Sequence, residues 1–167
     1  MDNTIIGALI GAVIAIVSTY INARQGYKNS IRLERQKILR DKREQLFINC
    51  ILAEKVIVSS EITILNFVKN ARYHSDSKFD VSRANPLQTM EMLINIYLPE
   101  YKKDLQELNN AYQEFHKYYS KYTTPDNFKD MPYSEKVKFI SEANSYAKKI
   151  YGKLNDIKVK ISSNSIV

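Results

Sequence analysis

With one cysteine, no tryptophan, four glycines, four prolines and two histidines in 167 residues, the chain is limited first by what it lacks. A lone Cys50 permits neither an internal disulfide nor a thiolate metal cluster, which fits a reducing cytosol. So few glycines and prolines argue against a turn-rich β protein. The two histidines, His74 and His116, stand apart and lack the HExxH or paired His/carboxylate spacing of a metal or acid–base site. No glycine-rich phosphate loop and no GxSxG elbow occurs. Cys50 falls on an apolar helical line, where a thiol is buried and inert. The expectation is a protein that is not an enzyme, with no cofactor, no metal and no small-molecule substrate.

Charge is missing from one long stretch, Ile5 to Ile21, IIGALIGAVIAIVSTYI. Proline is missing there too, and only Ser18, Thr19 and Tyr20 are polar. As a helix these residues rise about 25 Å, near the short end of what crosses a hydrocarbon core. A cleaved secretory signal would carry basic residues ahead of the run and a small-x-small site after it. Here only Asp2 precedes it, and the basic residues follow. Basic residues stay on the cytoplasmic side. The expected topology is therefore a single-pass membrane protein, N-terminus outside and C-terminal domain cytoplasmic.

Within this run Gly7 and Gly11 form a GxxxG pair, and Ala15 and Ser18 continue the same small-residue face. Small residues at that spacing let two helix backbones approach closely. The four are the candidate transmembrane self-association site.

The formal charge of +7 suggests nucleic acid until it is located. Residues 24–43 hold eight basic and two acidic side chains, a local +6, whereas residues 44–167 hold seventeen basic and fifteen acidic, only +2. The excess lies directly after the apolar run. Arg24, Lys28, Arg32, Arg35, Lys37, Arg40, Lys42 and Arg43 are the candidate contacts to anionic lipid, each worth on the order of 1 kcal/mol near the surface. No nucleic-acid partner is expected of the rest.

After Gly26 no glycine or proline occurs until Pro86, and strong helix formers dominate. Residues 24–43 read as a basic helical stalk, or a helix lying on the lipid surface. From Leu46 the pattern changes. Leu46, Cys50, Ala53, Ile57, Ser60, Ile64, Phe67 and Ala71 step by four and three, the seam of a bundle helix. Phe47, Ile51, Val58, Leu65 and Val68 make a second apolar line, and a helix apolar on two sides is covered by more than one neighbour. Residues 74–85 lose the period and read as a loop. Asn85 and Pro86 then supply a cap and a first-turn proline, with Leu87, Met90, Ile94, Tyr97 and Tyr101 following at helical spacing. Pro99 shifts the phase by one, predicting a kink or a break. Tyr101, Leu105, Leu108, Tyr112, Phe115, Tyr119 and Tyr122 form the next stripe. A second loop spans residues 123–132. Tyr133, Val137, Ile140, Asn144, Ala147, Tyr151, Leu154, Ile157 and Ile161 form the last, and residues 162–167 are expected to fray.

Two residues stand out as candidate partner contacts. Tyr118 lies beside the aromatic stripe and is the member of its cluster expected to be exposed. Asn144 falls on the last seam, where one buried Asn can fix register or partner. The fold class expected is all-α: residues 1–4 outside, a transmembrane helix at 5–23, a basic juxtamembrane helix at 24–43, and at 44–161 an antiparallel bundle of three helices, or four if Pro99 breaks one. The functional expectation is a membrane-tethered scaffold or interaction module, its partners the lipid bilayer and a protein, itself included. The alternative is a membrane-perturbing effector, of phage-exclusion or toxin type, that oligomerises through the apolar helix. The arrangement is similar in outline to that of many small single-pass bacterial and phage proteins.

Overall fold

A computed structural model describes the backbone of residues 3–68, 85–122 and 131–164, and the side chains of residues 10–65, 85–120 and 131–164. The described residues are almost entirely helical and contain no strand. Four helices follow in order: α1 (Asn3–Val68), α2 (Pro86–Ile96), α3 (Lys102–Tyr122) and α4 (Tyr133–Asn164). The expected loops at 74–85 and 123–132 lie outside the described residues except at their last positions.

The chain divides into two compact units, Met1–Arg40 and Asp41–Val167. In the first, every described side chain from Ile10 onward is exposed except Leu39, which is half-buried. Among the described residues no helix is long and apolar enough to cross a membrane. The structure therefore gives the expected transmembrane span no support. Five residues of that span, 5–9, precede the first described side chain, and the uncharged stretch from Ile10 to Ala23 is shorter than the roughly 20 residues a bilayer requires.

The second unit is a four-helix bundle, and its pairings fix the directions. Between α1 and α4, Arg43 meets Asn164, Glu54 meets Lys158 and Glu61 meets Tyr151. Between α3 and α4, Asp104 meets Lys160, Glu107 meets Lys153 and Glu114 meets Lys149. One number rises as the other falls in both series, so α4 runs antiparallel to α1 and α3. At α2, the Asn85–Leu87 end shares a small pocket with Ala53, Val56 and Ile57, while Tyr97 at the other end lies under the Lys42 ammonium, 5.2 Å from its ring centre. Thus α2 is antiparallel to α1 as well. The result is an up-down-up-down arrangement, the topology that short connections favour.

Pro99 breaks the chain rather than kinking it. Proline disfavours a helical residue before it, and Leu98 sits at φ −131°, ψ 54°. A 3₁₀ turn, Pro99–Tyr101, then leads into α3. The break turns both Leu98 and Tyr101 inward, each exposed by no more than 1%. Upstream, Asn85 caps α2: its Oδ1 accepts from the Leu87 N–H at 3.0 Å, with Pro86 in the first turn. At the far end α4 continues as helix to Asn164, where fraying was expected from residue 162. Its last turn is tied down, since Asn164 Nδ2 donates to the Tyr101 hydroxyl and the Asn164 carbonyl accepts from Arg43.

The core seams follow the sequence pattern except at Tyr97 of the α2 stripe, which is 37% exposed, and along the first half of α4. On α1, Leu46, Cys50, Ala53, Ile57 and Ile64 are buried and Ser60 is half-buried; Phe67 and Ala71 lie outside the described side chains. On α3, Leu105, Leu108 and Phe115 are buried, with Tyr112 and Tyr119 half-buried. The first half of the α4 seam is displaced by one residue. Phe139 and Ala143 pack with Ile64 in the core, whereas Tyr133 and Val137 are 77% and 45% exposed. Phe139 at the inner position also stacks on Tyr118, and from Ala147 onward the expected seam and the actual one largely coincide.

Candidate interaction surfaces

Three surfaces were candidates from sequence, and the first lies in the N-terminal unit. Gly7 lies outside the described side chains. Gly11, Ala15 and Ser18 lie on α1 and are exposed. A Cβ added at Gly11 would meet nothing within 4 Å, so no contact within this chain requires that glycine. Thr19, the next residue, turns its hydroxyl back onto the Ala15 carbonyl at 2.8 Å, which satisfies that donor within the helix.

The basic stretch divides in two. Arg24, Lys28, Arg32, Arg35, Lys37 and Arg40 are exposed on the first unit. Lys42 and Arg43 belong to the bundle instead. Lys42 lies over the Tyr97 ring and donates to Gln45 at 3.1 Å. Arg43 donates to Glu100 Oε1 at 3.3 Å and to the Asn164 carbonyl at 3.4 Å. These engagements explain why the compact unit begins at Asp41, ahead of the expected boundary at residue 44.

Tyr118 and Asn144 exchange the environments assigned to them. Tyr118 is half-buried, stacked on Phe139 with ring centres 5.3 Å apart and leaning on Tyr146 at 5.1 Å. Asn144 is exposed, because the seam passes through Ala143. A solvated Asn has no buried amide with which to fix a register, so the reason for selecting it is gone.

A surface not singled out from sequence lies on α1 opposite its core seam. Ile48, Ile51, Leu52, Val58, Ile62 and Leu65 are 37–52% exposed. The second apolar line expected to be covered includes Ile51, Val58 and Leu65, and these three are uncovered; Phe47 is half-buried and Val68 lies outside the described side chains. The signal was available in the sequence. Ile48, Ile51, Lys55, Val58, Ile62 and Leu65 step by three and four without a fault, but Lys55 interrupts the apolar reading at its centre.

Among the described residues, Cys50 and Tyr151 carry the largest shifts in acidity. Cys50 is fully buried, and burial pushes its thiol from an ordinary 9.0 up to about 12, so it stays protonated and unreactive. Tyr151 donates to Glu61 Oε2 at 2.7 Å. Burial first, and the Glu61 carboxylate second, raise its phenol. The α3–α4 cleft of 390 Å³, lined by Lys103, Asp104, Glu107, Asp156, Val159 and Lys160, holds two ion pairs. The Lys153 hydrogen bond lowers the Glu107 carboxyl below the usual range, and Asp104 holds the Lys160 ammonium above its own. Paired charges of this kind favour salt-bridged ground states over proton transfer. Among the described residues no three His, Cys, Asp or Glu side chains are grouped to hold a metal ion.

No protein-family model, no curated protein and no solved structure matches this chain.

Proposed function

We propose that the protein is a membrane-tethered helical interaction module: residues 5–23 enter the bilayer, the exposed cations of residues 24–40 meet anionic headgroups on the cytoplasmic side, and the bundle from Asp41 binds a protein partner. The observation that carries this reading is the exposure of Ile10, Val13, Ile14, Ile16, Val17 and Ile21, each 48–69% open. They stand on a segment uncharged from Asn3 to Ala23. Apolar area of this kind favours leaving water by roughly 25 cal/mol per Å². Lipid is the cover best matched to an uncharged helix followed at once by cations. For the interaction half of the reading the bundle offers an open apolar line on α1, where Ile48, Ile51, Val58, Ile62 and Leu65 are 37–52% exposed.

The test is extraction of the full-length protein from cell membranes. It is expected to remain in the pellet through a carbonate wash and to enter solution in mild detergent. Release by carbonate overturns the tether. A reporter fused after Val167 is expected on the cytoplasmic side, and its appearance outside overturns the orientation.

A further inference from the structure

We infer that the outward face of α1 between Ile48 and Leu65 is the surface through which two copies of this chain pair, helix against helix and in the same direction. Ile48, Lys55 and Ile62 fall on one heptad position and Ile51, Val58 and Leu65 on the other, the spacing that lets two helices interlock knobs into holes. The five apolar members are 37–52% exposed, so the line is free on the bundle. It stands on a helix that the core seam already holds in place, so pairing needs no new helix nucleation.

Size, borders and charge favour a second copy as the occupant. At ordinary side-chain sizes the open fractions of Ile48, Ile51, Leu52, Val58, Ile62 and Leu65 amount to roughly 500 Å² per copy, so a pair burying them reaches about 1,000 Å², where specific interfaces begin. An in-register pair sets each heptad position against itself, so one sequence supplies both halves. On one border three side-chain donors are satisfied within the helix. Asn49 donates to the Gln45 carbonyl, Ser60 to Val56 and Thr63 to Ser59, at 2.8 to 3.1 Å. The other border carries Glu54 and Glu61, which Lys158 and Tyr151 of the same bundle already engage, so neither border presents a free charge that calls for a partner of opposite sign. Lys55 at the centre is the single polar residue on a heptad position, a placement that fixes register at some cost in affinity. The common direction rests on the tethered reading, in which both copies enter the same membrane from the same side; the face itself does not.

The experiment uses the full-length chain in mild detergent, its molar mass measured by light scattering with the detergent subtracted. Two chains per particle are expected. Ile62→Glu and Val58→Glu each weaken pairing by at least about tenfold, as loss of a central anchor does, and leave one chain per particle with the circular dichroism spectrum and melting temperature unchanged. In native membranes Lys55→Cys is expected to give a disulfide-linked pair on mild oxidation. Val159→Cys on α4, 58% exposed, is expected to give none, and buried Cys50 contributes no background. One chain per particle for the unaltered protein overturns the inference. So do persistent pairs in both glutamate variants, or pairs broken by Gly11→Leu but not by Ile62→Glu. The carbonate wash reads the tether separately, so a failed tether and a failed pairing face give different results.

Discussion

The two units of this chain share one helix, yet nearly every described side chain of α1 before Asp41 is open, whereas from Leu46 one face is sealed in a core. Local propensity is similar in both stretches, so the difference comes from what each face meets. In the bundle, Leu46, Cys50, Ala53 and Ile57 are buried at seam spacing, and Ala53 and Ile57 line a small pocket with Leu87 of α2, Tyr112 of α3 and Ile150 of α4. Between Ile10 and Ile21 the aliphatic residues crowd around the helix, and from Arg24 to Arg40 charged residues do, so neither stretch carries the single apolar face on which a bundle closes. Helix formation alone does not separate a core element from one whose side chains stay open.

The largest expected effect is in the core. Phe139→Ala should cost the bundle about 3–5 kcal/mol, read as a fall in the urea midpoint, whereas Ile14→Ala should leave that midpoint where it is. Equal shifts would erase the distinction between the units. Next, Arg43→Ala should lower stability by about 1 kcal/mol by freeing the last turn of α4 and Glu100, while Arg35→Ala, on the exposed stretch, should change only binding to anionic vesicles.

Alkaline pH should separate the units as well. The folded Cys50 thiol is raised from 9.0 to about 12, and the Tyr151 phenol is raised too. Below pH 9 both groups keep their protons whether the chain is folded or not, and their contribution is fully present. Above pH 9 the unfolded chain releases protons that the fold retains, so the bundle loses stability as pH climbs toward 12. Urea midpoints at pH 8 and 10.5 should show the decline. A thiol reagent should label Cys50 only in denaturant.

The smallest effects are at glycine and at the misread seam. Nothing lies within 4 Å of a Cβ added at Gly152, so Gly152→Ala should stabilise α4 by up to about 1 kcal/mol. Asn144→Ala should stay within about 0.5 kcal/mol, and a larger loss would restore Asn144 to the seam.

Much of the bundle was legible because its signals are local. The Asn85–Pro86 cap, the break at Pro99 and the α1 seam each follow from spacing or from backbone chemistry. The α4 phase was not, because Tyr133, Val137 and Ile140 are as apolar as the line that is buried. The buried line is the one whose Phe139 meets Tyr118, a contact between distant parts of the sequence. The placement of Tyr118 was missed for the same reason. Lys42 and Arg43 counted as free cations in the composition, and only the fold shows that Tyr97, Glu100 and Asn164 engage them. The open line through Ile48 and Ile62 was present in the spacing but hidden by Lys55.

One consequence concerns the order of assembly. The contact between Glu54 and Lys158 joins residues 104 apart in sequence. At synthesis rates of about 5–20 residues per second, roughly 5–20 s pass between the emergence of the two. Through that interval the α4 side of the first bundle helix stands bare on the nascent chain, beside an outer stripe that the chain's own bundle leaves open. The ribosome's own pace thus sets how long this helix is greasy on both flanks, and the molecule becomes one-sided only as its final helix docks.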